Sequence, residues 1–296
     1  MKTITLLSAV LAGCLQIADA ASLTESTVTE IIKDVNLLPA NATAASPAKL
    51  KDLVKAPDRV RTGAESRTEL TAPDNTITRI GANTVFSFEA KDRVLNLEKG
   101  SLLFHSPKGA GGGTIKSGGA SAAVLGTTLI IAATDNGGFK VIVLEGQGRV
   151  TLPNGRRVNL NAGQMVFVLP AGGSFSDVLD INLAKLVAGS LLVKGFSHEL
   201  PSVARIDTAI KRQNGQLKKG RAMDTGITAD EFVASSSSKP RNGLNALDHN
   251  SYQSAVHPAL TSAQLAQLIR GNPAGGQGTG GPGGAGVVVI TDVKAP

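Results

Sequence analysis

The sequence predicts a mainly β protein, either a sandwich or a single coiled sheet, followed by two short helices and a disordered tail. Three observations carry that expectation. From Val60 to Leu169, short apolar or β-branched runs alternate with turn clusters at even spacing. From Phe175 to Lys219 the apolar residues instead recur near a helical period. Beyond Ala222 the chain becomes rich in Ser and Gly and poor in residues that build a core.

Taken in order, residues 1–20 read as a signal peptide. Met1-Lys2 gives a positive start, Ile4 to Ile17 an apolar stretch, and Ala18-Asp19-Ala20 an A-x-A cleavage site. Leu11-Ala12-Gly13-Cys14 supports a second reading, a lipoprotein box in which Cys14 is acylated and anchors the chain. Secretory cleavage is preferred because the apolar run continues past Cys14, and the product is then periplasmic or extracellular. The only cysteine lies in this segment, so disulfides are not expected and stability must come from packing and backbone pairing. No later stretch approaches the roughly 18 to 20 apolar residues of a membrane-spanning helix, so the mature chain is expected to lack one.

Leu23 to Leu38 is compatible with an early strand or a short helix, Pro39 to Pro47 with a loop, and Ala56-Pro57-Asp58 with a turn. In the following region Phe86 and Phe88, Leu95 and Leu97, Leu102 and Phe104 alternate with polar neighbours, so one face of each strand is buried. Leu129 to Ala132 and Val141 to Leu144 are apolar on both faces and belong in the middle of the assembly. Turns are expected at, among others, Ala90-Lys91-Asp92 and Asp135 to Gly138. The β domain is placed at 24–170 and a helical extension at 175–220, with one helix in Phe175 to Phe196 and another in Pro201 to Lys219. Residues 221–296 are read as a flexible Gly/Ser-rich tail, in which Val287 to Thr291 is β-prone.

The formal charge is +7, a balance that favours anionic partners. Much of the excess lies in Arg205 to Arg221, and Lys211, Arg212, Lys218 and Lys219 form a candidate anion-binding face. A solvated basic face on a packing helix is the ordinary explanation for such a run. Nucleic acid is not expected as a partner, since only nine residues are Phe or Tyr, none is Trp, and stacking platforms are scarce. An anionic polymer or a membrane surface fits the charge better.

Several segments, taken in order, resemble the FecR-like domain family. They are Val60-Arg61-Thr62-Gly63 with Ser66-Arg67-Thr68-Glu69-Leu70, Ile77-Thr78-Arg79-Ile80-Gly81-Ala82-Asn83-Thr84, Leu97-Glu98-Lys99-Gly100 followed by Leu102 and Phe104, Gly126-Thr127, Val143-Leu144-Glu145-Gly146 and Leu160 with Ala162-Gly163-Gln164. The resemblance spans about Thr24 to Leu169. It implies a compact β-rich domain of envelope signalling and other exported proteins, whose regulators receive a signal from an outer-membrane receptor. It also implies structural roles for Gly63, Gly81, Gly100, Gly126, Thr127, Glu145, Gly146, Gly163 and Gln164, with the glycines at turns that favour positive φ. The sequence departs from the regulators' plan in two places. Met1 to Ala21 leaves no room for a cytoplasmic segment that handles a sigma factor, and Leu125 stands where the family commonly has Arg before Gly-Thr.

The chain carries little that reads as catalytic. His105, His198, His249 and His257 lack metal-ligand spacing, no G-x-S-x-G elbow occurs, and the glycines near Lys116 do not form a phosphate loop. Gly278 to Gly283 matches G-x-G-x-x-G only within low complexity. No enzyme activity, cofactor or metal is expected. The leading expectation is a module that binds an envelope protein, for signalling or as a scaffold. The alternative is an adhesive module that binds anionic polymer through residues 205–221.

Overall fold

The computed structural model describes residues 23–90, 93–133, 138–168 and 174–219. The segment read as a signal peptide, with Cys14, parts of the turns expected near residues 91–92 and 135–137, and the tail expected at 221–296 lie outside the described residues.

Glycine, proline and Asx turns cut the chain into short strands: β1 (Glu25–Ile32), β2 (Val35–Leu38), β3 (Ser46–Pro47), β4 (Leu53–Lys55), β5 (Arg59–Thr62), β6 (Arg67–Thr71), β7 (Ile77–Ile80), β8 (Val85–Phe88), the long β9 (Val94–His105), β10 (Gly113–Ser117), β11 (Ala120–Val124), β12 (Thr128–Ala133), β13 (Phe139–Glu145), β14 (Gln147–Thr151), β15 (Arg157–Asn161), β16 (Gln164–Val168) and β17 (Leu179–Asp180). The stretch Leu23 to Leu38, ambiguous in sequence, is strand. Its Val28 and Val35 reach the core while polar neighbours stay out.

Two sheets face each other. The first runs β4-β1-β6-β7-β9-β12-β13-β16-β17. The second runs β3-β2-β5-β8-β9-β10-β11-β14-β15. Pairing is antiparallel except between β9 and β10. The two sheets share β9, whose residues 94–99 pair in the second sheet and 100–105 in the first.

Alternation sets the faces. In the second sheet Phe88, Leu95, Ile115, Ala122, Val150 and Val158 are successive cross-strand partners that point into the core between the sheets. From the first sheet Leu70, Phe104, Leu129, Val141 and Val166 meet them. The side chains between these, Leu103, Ile130, Ile142, Leu144 and Met165, form a second core on the opposite face, under the helices. This is why β12 and β13 are apolar on both sides: their sheet is covered twice. Each such fully buried side chain contributes about 1.5 to 3 kcal/mol.

The covering helices are α1 (Leu183–Gly189), α2 (Leu191–Lys194) and α3 (Val203–Lys218). Asn182 starts α1 by accepting a hydrogen bond from the Lys185 amide at 3.0 Å. The single helix expected in Phe175 to Phe196 is broken in two at Ser190, whose backbone is extended. Gly189 precedes the break, and its low helix propensity leaves the turn weak there. Gln213 of α3 locks the layer together, accepting from the Leu183 amide at 2.9 Å and donating to the Ile181 carbonyl at 2.6 Å.

Candidate functional site

The glycines singled out in the sequence share one placement. Gly63, Gly81, Gly126, Gly146 and Gly163 each lie in the short link where the chain passes from one sheet to the other, and Gly100 lies inside β9 at the same kind of crossing. They turn corners between sheets rather than hairpins within one. Gly100 needs its missing side chain twice: its φ is +87°, and a Cβ there would stand 2.5 Å from the Thr84 Cα. Gly63 and Gly81 lie outside the left-handed region, so conformational freedom does not account for them. At Gly63 the reason is space, because a Cβ would stand 2.7 Å from Asp34 Oδ2.

Two of these corners are built alike. Thr84 Oγ1 donates toward the carbonyl two residues back, Ala82, and toward that of Ser101, and it accepts from the Ser101 amide at 3.0 Å. Thr127 Oγ1 likewise faces the carbonyls of Leu125 and Gln147, at 3.2 and 2.8 Å, and accepts from the Gln147 amide at 3.3 Å. In each case a threonine hydroxyl clasps the residue that follows a glycine, Gly100 or Gly146. The segments Leu97 to Gly100 and Val143 to Gly146 thus fill equivalent structural places.

At the first corner the surface opens into a cleft of about 390 Å³ lined by Asp34, Asn36, Arg61, Asn83, Thr84 and Lys99, among others. Its floor is stitched by Thr62, whose hydroxyl donates to the Gly81 carbonyl at 2.6 Å and accepts from the Thr84 amide at 2.9 Å. Asn36, Arg61, Val85 and Lys99 follow one another as cross-strand partners, so they share one face of the second sheet. One carboxylate, two cations and two amide side chains therefore line a solvent-open hollow suited to polar recognition. Sequence reasoning quoted Arg61, Asn83 and Lys99 only as pieces of a resemblance and missed Asp34 and Asn36. The available signal was the polar phase of β5, where Arg59 and Arg61 alternate with Val60 and Thr62.

A cluster of buried charged groups lies elsewhere, beneath the helices. Arg79 is fully buried and gives its Nε to Glu69 Oε2 at 2.8 Å, Nη1 to the carbonyls of Leu192 and Val193, and Nη2 to that of His198. His105, Thr128 and Glu145 form one cross-strand row. The Thr128 hydroxyl donates to Glu145 Oε1 at 2.9 Å and lies 2.9 Å from His105 Nδ1, and Arg205 Nη2 of α3 also donates to Glu145 Oε1, at 3.2 Å. Burial lowers the His105 pKa to about 4, helped by repulsion from Arg205 and Arg79, so the ring is neutral. These groups are bonded to one another and to the backbone rather than to an open space. Among the described residues no group of three or more His, Cys, Asp or Glu side chains is placed to hold a metal ion.

Lys211, Arg212, Lys218 and Lys219 are all exposed at the α3 end of the helical layer. Spaced at i, i+1, i+7 and i+8, they fall on one side of the helix. Gln164 begins β16 and accepts from the Asn161 amide at 2.9 Å. Leu125 projects into solvent, 73% exposed. No described helix is long and apolar enough to cross a membrane.

Residues 58–149, just under a third of the chain, match the model of the FecR protein family. No curated protein matches the chain. Two crystal structures of a Parabacteroides distasonis ATCC 8503 protein named as a candidate anti-sigma factor are similar to it at 20% identity and a TM-score of 0.39. The similarity covers 44% of this chain and 62 to 63% of that one, so the chain spans less than two thirds of the protein it matches.

Proposed function

We propose that this chain, which carries a FecR domain match over residues 58–149, is a non-catalytic binding module of the cell envelope that engages another envelope protein, for signalling or as a scaffold. The observation that carries the reading is the cleft, where the residues of three resemblance segments, Arg61-Thr62-Gly63, Asn83-Thr84 and Lys99, come together at the surface. The groups with the chemistry to react, His105, Glu145, Glu69 and Arg79, are instead bonded internally beneath the helices. In this reading residues 1–20 direct export, with anchoring through Cys14 as the alternative, and residues 24–170 form the recognition domain followed by the helical extension at 175–220. The mature N-terminus, determined by mass spectrometry, distinguishes release at Ala21 from a lipidated Cys14.

A photo-crosslinking residue placed at Asn83 in living cells tests the cleft, with the same residue at Gln216 of α3 as the comparison. The expected result is a discrete adduct with an envelope protein from Asn83 alone. Adducts from neither position, with the domain folded, would sink the reading.

A second reading, adhesion to anionic polymer through α3, draws on the common exposed side of Lys211, Arg212, Lys218 and Lys219. Replacing all four with Gln should then weaken retention on an anionic polymer in a salt-dependent way.

A further inference from the structure

The outer face of the second sheet points away from the helical layer, and none of the described helices or strands covers it. Its cross-strand partners run without interruption over eight strands: Leu38, Arg59, Ser87, Asn96, Lys116, Ser121, Thr151 and Arg157. At roughly 4.8 Å between strands the row is about 34 Å long. Beside it runs a second row, Val94, Thr114, Ala123, Arg149 and Asn159. Hydroxyls, amides and cations dominate both.

The charge on this face is unbalanced. It carries Arg59, Arg61, Lys99, Lys116, Arg149 and Arg157. Against these stand Glu98, paired with Arg59 at 3.0 Å, Glu89, paired with Lys116 at 3.0 Å, and Asp34 in the cleft. Asp58 at the rim accepts from the backbone amides of Ala40 and Lys55. Arg149 donates to Asn159 Oδ1 at 3.0 Å, and neither it nor Arg157 has an ion-pair partner among the described residues. The far end of the face, away from the cleft, is therefore cationic.

The shape and chemistry select among anionic occupants. A protein partner needs exposed apolar or aromatic anchors at the centre of its interface, and the centre of these rows offers only the small Ala123 and the buried Val94. A single-stranded nucleic acid needs aromatic platforms, and neither row contains one. A membrane surface needs an apolar wedge of several side chains beside the cations, and here Leu125, just past the end of β11, stands alone as a strongly exposed apolar residue. An extended acidic polysaccharide needs a long, level, hydrated track of hydroxyls and amides with cations at intervals. The strand spacing is close to the length of one sugar ring, so successive sugars meet successive strands. We infer that the outer face of the second sheet, from Arg59 across to Arg149 and Arg157, binds an extended acidic polysaccharide lying across the strands. This goes beyond the protein recognition proposed for the cleft, and the residues its test replaces, Arg149 and Arg157, lie outside the cleft.

The test is retention of the full chain on immobilised polygalacturonate, with neutral dextran, phosphatidylglycerol vesicles and an oligothymidylate as comparison ligands. The unaltered chain is expected to bind polygalacturonate at low salt, to be released at high salt, and to ignore dextran. Arg149→Gln with Arg157→Gln should weaken that binding about tenfold, the loss of roughly 1.4 kcal/mol. The variant with Gln at positions 211, 212, 218 and 219 of α3 separates this face from the second reading, in which those residues hold the polymer: if the sheet face is the site, it keeps binding within about twofold. Both sets of sites are exposed, so the folded state should survive, which circular dichroism checks. Unchanged binding in the Arg149/Arg157 variant overturns the proposal. So does loss confined to the α3 variant, equal retention on dextran, or tighter binding to the vesicles or the oligothymidylate. None of these outcomes depends on the Asn83 crosslink, so the two readings fail separately.

Discussion

Arg79 and Glu69 face each other in register across β6 and β7, and Arg79 Nε donates to Glu69 Oε2 at 2.8 Å. The rest of the same guanidinium binds chain more than a hundred residues further on, at the carbonyls of Leu192, Val193 and His198, with the Phe196 ring 4.4 Å away. The carbonyls at the end of α2 have no partners further along that helix, and this one cation satisfies them. Glu69 neutralises the cation and so permits its burial.

Replacing one partner strands the other. Arg79→Leu leaves the buried Glu69 carboxylate without its counter-charge, held only by the Thr29 hydroxyl at Oε1, and leaves the Leu192 and Val193 carbonyls without their donor, at an expected cost of about 3 to 5 kcal/mol. Arg79→Leu combined with Glu69→Leu should recover part of that loss. Denaturant unfolding measures both, and hydrogen exchange should show residues 191–198 opening first in the single variant.

The neutral His105 makes stability depend on pH. Its pKa falls from the usual 6.5 to about 4 through burial, then through Arg205 and Arg79. Below pH 6.5 the unfolded chain takes up a proton that the folded chain refuses until about pH 4, so the contribution present above 6.5 is lost across that window. Between pH 7 and pH 5 the loss from this residue is about 2 kcal/mol. His105→Asn should be less stable at pH 7 yet show a flatter decline, and parallel slopes for the two proteins would rule the effect out.

Gly100 and Gly155 share nearly the same φ, +87° and +82°, but differ in their surroundings. A Cβ at Gly155 meets nothing within 4 Å, whereas one at Gly100 runs into the Thr84 backbone. Gly155→Ala is expected to cost about 1 to 2 kcal/mol, the backbone penalty alone. Gly100→Ala should cost clearly more, because Thr84 must shift as well. Thermal unfolding of the pair separates conformation from crowding.

Gln213 offers a way to loosen the helices selectively. Gln213→Leu leaves the Leu183 amide and the Ile181 carbonyl buried without their partner, an expected cost of about 1 to 3 kcal/mol. Hydrogen exchange should rise in α1 and α3 while β12 and β13 stay protected.

The β architecture was legible because burial leaves a clear mark on short strands. Val141 to Leu144, apolar at every position, announced a strand covered on both sides, and Val141 and Ile142 do enter different cores. The α1–α2 break was harder to see, since Leu183 to Val193 keeps a helical period through Gly189-Ser190 and only the glycine hints at the interruption. The cleft was hidden for another reason. Asp34, Arg61, Asn83 and Lys99 stand on four different segments, and only the pairing order of β2, β5, β8 and β9 assembles them. Arg79 was visible as an arginine in an apolar strand, but besides Glu69 its partners are backbone carbonyls, which no side-chain pattern encodes.

The long strand β9 also has a mechanical meaning. Sheets held together only by side chains slip past each other under load. Here a single stretch of peptide, bent at Gly100, is stitched into both. A tug delivered near Lys99 is transmitted along covalent bonds to Leu103, on which the helices rest. Traction on one leaf is thus felt by the other without any sliding joint between them.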